Sequence, residues 1–135
     1  MAKLSSIAVV VGVIENRDGE ILISRRQAQQ HLAGLWEFPG GKVDSGESKE
    51  QALVRELKEE LDLELEPGAA DFLFDIEHDY AEKRVCLHIF HVRQFSGEAK
   101  SMEGQPLSWV SRSEIADYEF PEANKRIVEW LVSRA

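Results

Sequence analysis

Glu56, Glu59 and Glu60 sit in a run of charged and leucine residues that reads as a helix, and their spacing suits them to bind metal. At about 100° of rotation per residue they lie within about 100° of one another, so all three carboxylates leave one strip. Leu53, Leu57 and Leu61 form a neighbouring apolar stripe that seats the helix on a core. The like charges of Glu56 and Glu60 strain an isolated helix. Arg55, Lys58 and Lys49 offset part of that repulsion, and divalent cations can offset the rest. Hard carboxylate oxygens are what Mg²⁺ prefers, with Mn²⁺ as a substitute, and Mg²⁺ commonly keeps waters and takes phosphate oxygens as its other ligands. A Glu-rich helix alone is usually a solvated face. Here Gly41-Lys42-Val43-Asp44-Ser45-Gly46-Glu47 precedes it, a glycine-hinged loop that sets the acids at the edge of a cleft. The spacing of an EF-hand calcium loop is absent.

The elements that must position these residues follow from pattern and turn chemistry. Ser6 to Ile14 reads as a buried strand, Asn16-Arg17-Asp18-Gly19 as a hairpin turn and Glu20 to Arg25 as its partner. Residues 27–46, with Gly34, Pro39, Gly40, Gly41 and Gly46, read as a long loop. Ser45 or Ser48 then caps a helix from about Glu47 to Leu61. Pro67-Gly68 turns the chain into strands over Asp71 to Asp79 and Arg84 to Phe95, and a short strand follows over Leu107 to Val110. Ser111 to Asp117 reads as a short helix with a Ser111/Glu114 capping box, and Pro121 opens a second main helix. Helices separated by runs of strands predict an α/β (α+β) fold, a mixed β-sheet sandwiched between helices.

Composition excludes several classes of function. With 135 residues and 43% hydrophobic content, the chain suits a single domain over 1–135 with one core. The segment from Met1 to Ser6 leads into an alternating apolar run, not a signal sequence, and no stretch approaches membrane-spanning length. The expectation is a cytoplasmic protein with no membrane partner. The single cysteine, Cys86, excludes an intramolecular disulfide and reads as a buried strand thiol. A net charge of -9 argues against a nucleic-acid polymer as partner. Free nucleotides remain, and an acidic site accepts a triphosphate only together with divalent ions.

Gly41, Glu47, Arg55-Glu56-Leu57-Lys58-Glu59-Glu60 and Leu63 together resemble the Nudix box, here spanning residues 41–63. The family hydrolyses nucleoside diphosphates linked to another moiety. One position departs: Asp62 stands where the family usually has the glycine that ends the helix in a left-handed conformation. The resemblance runs on through Ile21 to Arg26, His31, Glu37 to Lys42, Met102 to Pro106 and Phe120 to Asn124, and these pieces are similar to the MutT-like branch, which converts 8-oxo-dGTP to 8-oxo-dGMP and pyrophosphate.

The resemblance implies a Mg²⁺-dependent 8-oxo-dGTP diphosphatase that sanitises the nucleotide pool and so avoids mutation during DNA replication. Glu56, Glu59, Glu60 and Glu103, with the Gly40 carbonyl, are then the metal-binding groups, and Glu59 or Glu103 the general base. Arg26 is matched to a phosphate contact. His31, Glu37, Phe38, Pro39 and Gly40 complete the expected substrate-binding set, with Arg84 closing over the nucleotide. At Arg84 the preceding acidic family position is Lys83. Asn124 is the base reader: its amide donates and accepts, matching the O6 acceptor and N7–H donor of 8-oxoguanine. Its bland alternative is a local hydrogen bond at a helix start. Arg55 reads as structural. Two other functions compete, a broader-specificity (d)NTP pyrophosphohydrolase and a non-catalytic module that recognises 8-oxoguanine. Sequence leaves open whether the chain is a monomer or a homodimer.

Overall fold

The computed structural model describes residues 5–30 and 32–135, so Met1 to Leu4 of the expected leader-free start lie outside it. Strands β1 (Ser5–Ile14), β4 (Gly40–Lys42), β5 (Ala70–Asp79) and β6 (Lys83–Val92) form one sheet in the order β4-β1-β6-β5. β1 pairs parallel with β6 and antiparallel with β4, and β5 pairs antiparallel with β6. Strands β2 (Glu20–Arg25), β3 (Trp36–Glu37) and β7 (Leu107–Ser111) form a smaller antiparallel sheet in the order β3-β2-β7. The expected mixed sheet is therefore present, accompanied by a second one.

The layers explain why β1 and β6 read as near-continuous apolar runs: both faces are covered, as parallel pairing requires. On one face Val11, Val13, Ile23, Leu87 and Ile89 pack with Ile127 and Leu131 of α2 (Lys125–Val132). On the other, Val10, Ile14, Leu22 and Phe90 pack with Leu53, Leu57 and Leu61 of α1 (Lys49–Leu61). The sheet layer lies between two helices, as the sequence pattern predicts.

Several boundaries move for identifiable reasons. Of the two serines expected to cap α1, Ser48 does so: its hydroxyl accepts from Gln51 N at 3.1 Å while Gln51 Oε1 accepts from Ser48 N at 2.9 Å, so the helix starts at Lys49. Pro121 stays extended at φ -58°, ψ 153°; Glu122–Asn124 make a 3-10 turn before α2 begins. The helix expected over Ser111 to Asp117 shrinks to a 3-10 turn at Ile115–Asp117, and Ser111 and Glu114 meet side chain to side chain at 3.1 Å. The long loop contains β3, too short at two residues to show a pattern, and β4, missed because glycine is a poor strand former. Cys86 is half-buried in β6, not buried.

Asp62 takes the left-handed conformation that its family position demands, with φ 56° and ψ 34°, and its N–H bonds the Lys58 carbonyl at 3.0 Å. Its side chain partly offsets the strain by accepting from Lys58 Nζ at 2.7 Å. Asp62→Gly should therefore raise the melting temperature by roughly 3 °C and leave turnover unchanged. A large gain in activity would show that Asp62 does something besides end the helix.

Candidate active site

The carboxylates of α1 are set by β4. Gly40 and Gly41 lie so close to β1 that a Cβ on Gly40 would stand 1.9 Å from the Val10 carbonyl oxygen. A Cβ on Gly41 would stand 2.2 Å from the Glu56 carboxyl carbon. These glycines are required by close approach, since only a bare Cα lets Glu56 fold against the strand.

Arg55 fixes the loop to the helix. Its Nε donates to Glu47 Oε2 at 2.7 Å, its Nη2 to Glu47 Oε1 at 2.9 Å and to the Lys42 carbonyl at 3.0 Å, and its Nη1 to Glu56 Oε1 at 2.9 Å. The hydrogen bonds from this guanidinium lower the Glu47 pKa to about 2. The expected structural role for Arg55 matches these contacts, and it extends further: the residue holds one oxygen of Glu56 and approaches Glu59 at 3.4 Å.

Glu60 is the focus of the cluster. Its pKa is raised far above the ordinary carboxylate value, first by burial, then by the negative charges of Glu56, Glu103 and Glu37 and by a hydrogen bond with Glu56. Glu37 is raised too, first by burial and then by Glu103, against the lowering effect of its ion pair with Arg26. Four carboxylates thus feel one another across the end of α1, β3 and the Glu103 turn. Among the described residues no three His, Cys, Asp or Glu side chains already close around one point. The donor set still fits a hard cation: crowded carboxylates on one helix strip, some buried and one exposed, with further acids on β3 and the Glu103 turn. Glu59 is more exposed, at 56% of its side chain.

A cavity of about 290 Å³ adjoins the cluster. Val9, Val11, Val85 and Leu87 supply apolar lining, Arg26, Glu37, Phe38, Gly40 and Gly41 line it from the loop and its short strands, and Pro121, Ala123 and Asn124 from the start of α2. Phe38 is buried and stacks on Phe120 with ring centroids 5.0 Å apart, so the aromatic is both core and cavity lining. The side chain of Asn124, at the N-cap position of α2, makes no capping hydrogen bond, and the residue lines the cavity.

Other expected residues fall elsewhere. Pro39 is buried, and its carbonyl accepts from Gly12 N at 2.8 Å, so it acts as a latch to β1 and does not line the cavity. Arg84 cannot close over the cavity from its observed position. In the pleat Val85 and Leu87 face the cavity, so Arg84 faces the other side, where its Nε donates to Asp79 at 2.7 Å. His31 lies outside the described residues. Sequence reasoning missed Leu32, Lys42 and Tyr80 as cavity lining. Period-two alternation from Val85 and Leu87 was the signal that could have excluded Arg84.

Comparison with known proteins places this geometry. The NUDIX domain profile matches residues 10–130. The chain is 36% identical over 128 residues to the 8-oxo-dGTP diphosphatase of Escherichia coli, covering 95% of this chain and 98% of that one. It is 41% identical over 126 residues to the CTP pyrophosphohydrolase of the same organism, covering 93% and 91%. Among solved structures, one from a study of MutT from Aliivibrio salmonicida and Vibrio cholerae superposes with a TM-score of 0.84 at 36% identity, covering 97% of this chain and all of that one.

Proposed function

The chain belongs to the NUDIX domain family, and from that premise we propose that it is a divalent-metal-dependent 8-oxo-dGTP diphosphatase, releasing 8-oxo-dGMP and pyrophosphate. The observation that carries the reading is the juxtaposition of the crowded carboxylates with a cavity lined by Asn124, whose side chain makes no capping hydrogen bond. The 8-oxo-dGTP diphosphatase named above, matched along nearly its whole length, supports the same substrate. In this reading residues 1–135 form one Nudix domain acting in the cytoplasm on the nucleotide pool.

Glu56, Glu59 and Glu60, with Glu103 and the Gly40 carbonyl, would hold Mg²⁺ or Mn²⁺. Bound there, the ion neutralises phosphate charge and acidifies water. The protein's own groups do the rest. Arg55 aims Glu56, and Gly41 leaves room for it. Arg26, already paired with Glu37, presents its guanidinium to phosphate oxygens from the cavity wall. Glu59, on the carboxylate strip, or Glu103, close enough for its charge to act on Glu60 and Glu37, would take the proton of the attacking water. The apolar lining and Phe38 exclude water from the base.

Asn124 gives the reading its test. Its Oδ1 accepts from the N7–H that only the oxidised base carries, while its Nδ2 donates to O6; guanine itself offers N7 as an acceptor. Asn124→Ala should narrow the preference for 8-oxo-dGTP over dGTP by about 1 to 3 kcal/mol in relative kcat/KM. An unchanged preference would move base recognition to another residue. A second reading, a broader (d)NTP pyrophosphohydrolase, is favoured by the relative named a CTP pyrophosphohydrolase. A non-catalytic reader of 8-oxoguanine has no use for the clustered glutamates.

A further inference from the structure

Gln105 is one of the few buried polar residues among those described, 8% exposed, and both the oxygen and the nitrogen of its amide are hydrogen-bonded. Its Oε1 accepts from the Glu103 N–H at 3.0 Å and from the Ser101 hydroxyl at 2.9 Å. Its Nε2 donates to the Glu60 carbonyl at 3.3 Å. The same carbonyl accepts from Met102 N at 3.1 Å, and the Leu61 carbonyl from Lys100 N at 2.9 Å, so the loop before β7 is laced to the last turn of α1. On the other side Arg25 N donates to the Pro106 carbonyl at 3.0 Å, tying the loop to β2. The Glu103 peptide is gripped at both ends, its N–H by Gln105 and its carbonyl by Gln27 Nε2 at 2.8 Å.

The oxygen of Gln105 bonds within its own loop, while its nitrogen reaches out of it, so the one amide joins Glu103 to the helix position that carries Glu60, although the two acids are far apart in sequence and on different elements. Glu103 lies beside Gly104, whose φ of 79° lets the chain turn there, and its own side chain has no hydrogen bond or ion pair among the described residues. Backbone placement therefore sets which part of the site its carboxylate can reach. We infer that Gln105 is a positioning residue, whose amide holds the Glu103 turn in register with the carboxylate strip of α1. In its catalytic consequence this rests on the hydrolase reading above; the placement itself does not.

The test uses Gln105→Leu, which keeps the volume and removes every polar contact of the amide, with the intact protein. In the metal-free protein the Glu103 amide should exchange hydrogen at least ~10-fold faster, while the Leu57 amide within α1 stays protected. With Mg²⁺ and 8-oxo-dGTP, kcat should fall by about 10- to 100-fold, while KM changes by less than about 3-fold because the base cavity is untouched. In a Glu103→Gln background the same substitution should cost less than about 2-fold more, since the two act as one unit. If Gln105→Leu proves too unstable, Gln105→Glu keeps the acceptor, so the Glu103 amide should stay protected while the link to Glu60 is lost. Unchanged Glu103 exchange in Gln105→Leu, or kcat losses that multiply in the double variant, would overturn the inference. If Glu103→Gln alone retains full turnover, the catalytic reading of Glu103 falls, whereas the exchange experiment still judges the positioning.

Discussion

Glu60→Gln is expected to lower kcat by about 10³-fold, the equivalent of losing roughly 4 kcal/mol of charge stabilisation at a metal site, while the fold survives. The same variant should be more heat-stable than the wild type in metal-free buffer at pH 8. The pH dependence follows from linkage. The folded-state pKa of Glu60 is raised above its ordinary value of 4.5 by burial and by neighbouring carboxylates. Folded protein therefore holds a proton that the unfolded chain has released, and stability falls as pH rises above about 4.5 toward the raised pKa. A neutral glutamine removes that loss. Mg²⁺ removes it in another way, so the rise in melting temperature on adding Mg²⁺ should grow between pH 6 and pH 8 in the wild type and nearly vanish in Glu60→Gln. Chelation should abolish turnover. A variant with full activity, or one that loses stability in metal-free buffer, would mean that Glu60 is an ordinary structural acid.

Gly41→Ala should lower activity by a different route. The new methyl would overlap the Glu56 carboxyl group at 2.2 Å, and that group is tied to Arg55 at 2.9 Å and hydrogen-bonded with Glu60. The carboxylate must leave its place, and a displacement near 1 Å in such a site costs about 10²-fold in rate. Gly46→Ala is the matched control. At Gly46 the φ of +83° strains any side chain, yet nothing lies within 4 Å. That variant should lose stability and keep its activity. If both glycine variants lost activity equally, loop flexibility rather than the placement of Glu56 would explain the first result.

Much of this site was legible in the sequence because its chemistry is local. Helical spacing alone puts Glu56, Glu59 and Glu60 on one strip, and the leucines beside them show which way the helix faces. The turn at Asn16 to Gly19 and the long buried strands were legible for the same reason: periodicity and turn residues act over a few positions. The hairpin expected across that turn did not form: β1 and β2 diverge after a single bridge from Glu15 to Ile21 and join different sheets, a choice set by distant partners. What escaped depends on contacts between distant segments. Phe38 and Phe120 stack across 82 residues of chain, so neither sequence window shows that the cavity-lining Phe38 is held by the second ring. The two glycines at 40 and 41 read as loop because their need for close approach comes from Val10 and Glu56, not from their neighbours. Arg84 was drawn to the substrate by resemblance, while the alternation of its own strand already pointed it to the opposite face. Gln105 looked like part of a short polar turn, and only the fold reveals that its amide spans to α1.

The most direct measurement is kcat/KM with Mg²⁺ for 8-oxo-dGTP, dGTP and CTP, with the products identified. The account predicts 8-oxo-dGMP and pyrophosphate as products, and an efficiency on 8-oxo-dGTP at least ~10-fold above that on dGTP or CTP, the minimum expected from one base-specific hydrogen bond. Equal efficiency on dGTP and its oxidised form, or a lead for CTP, would contradict it.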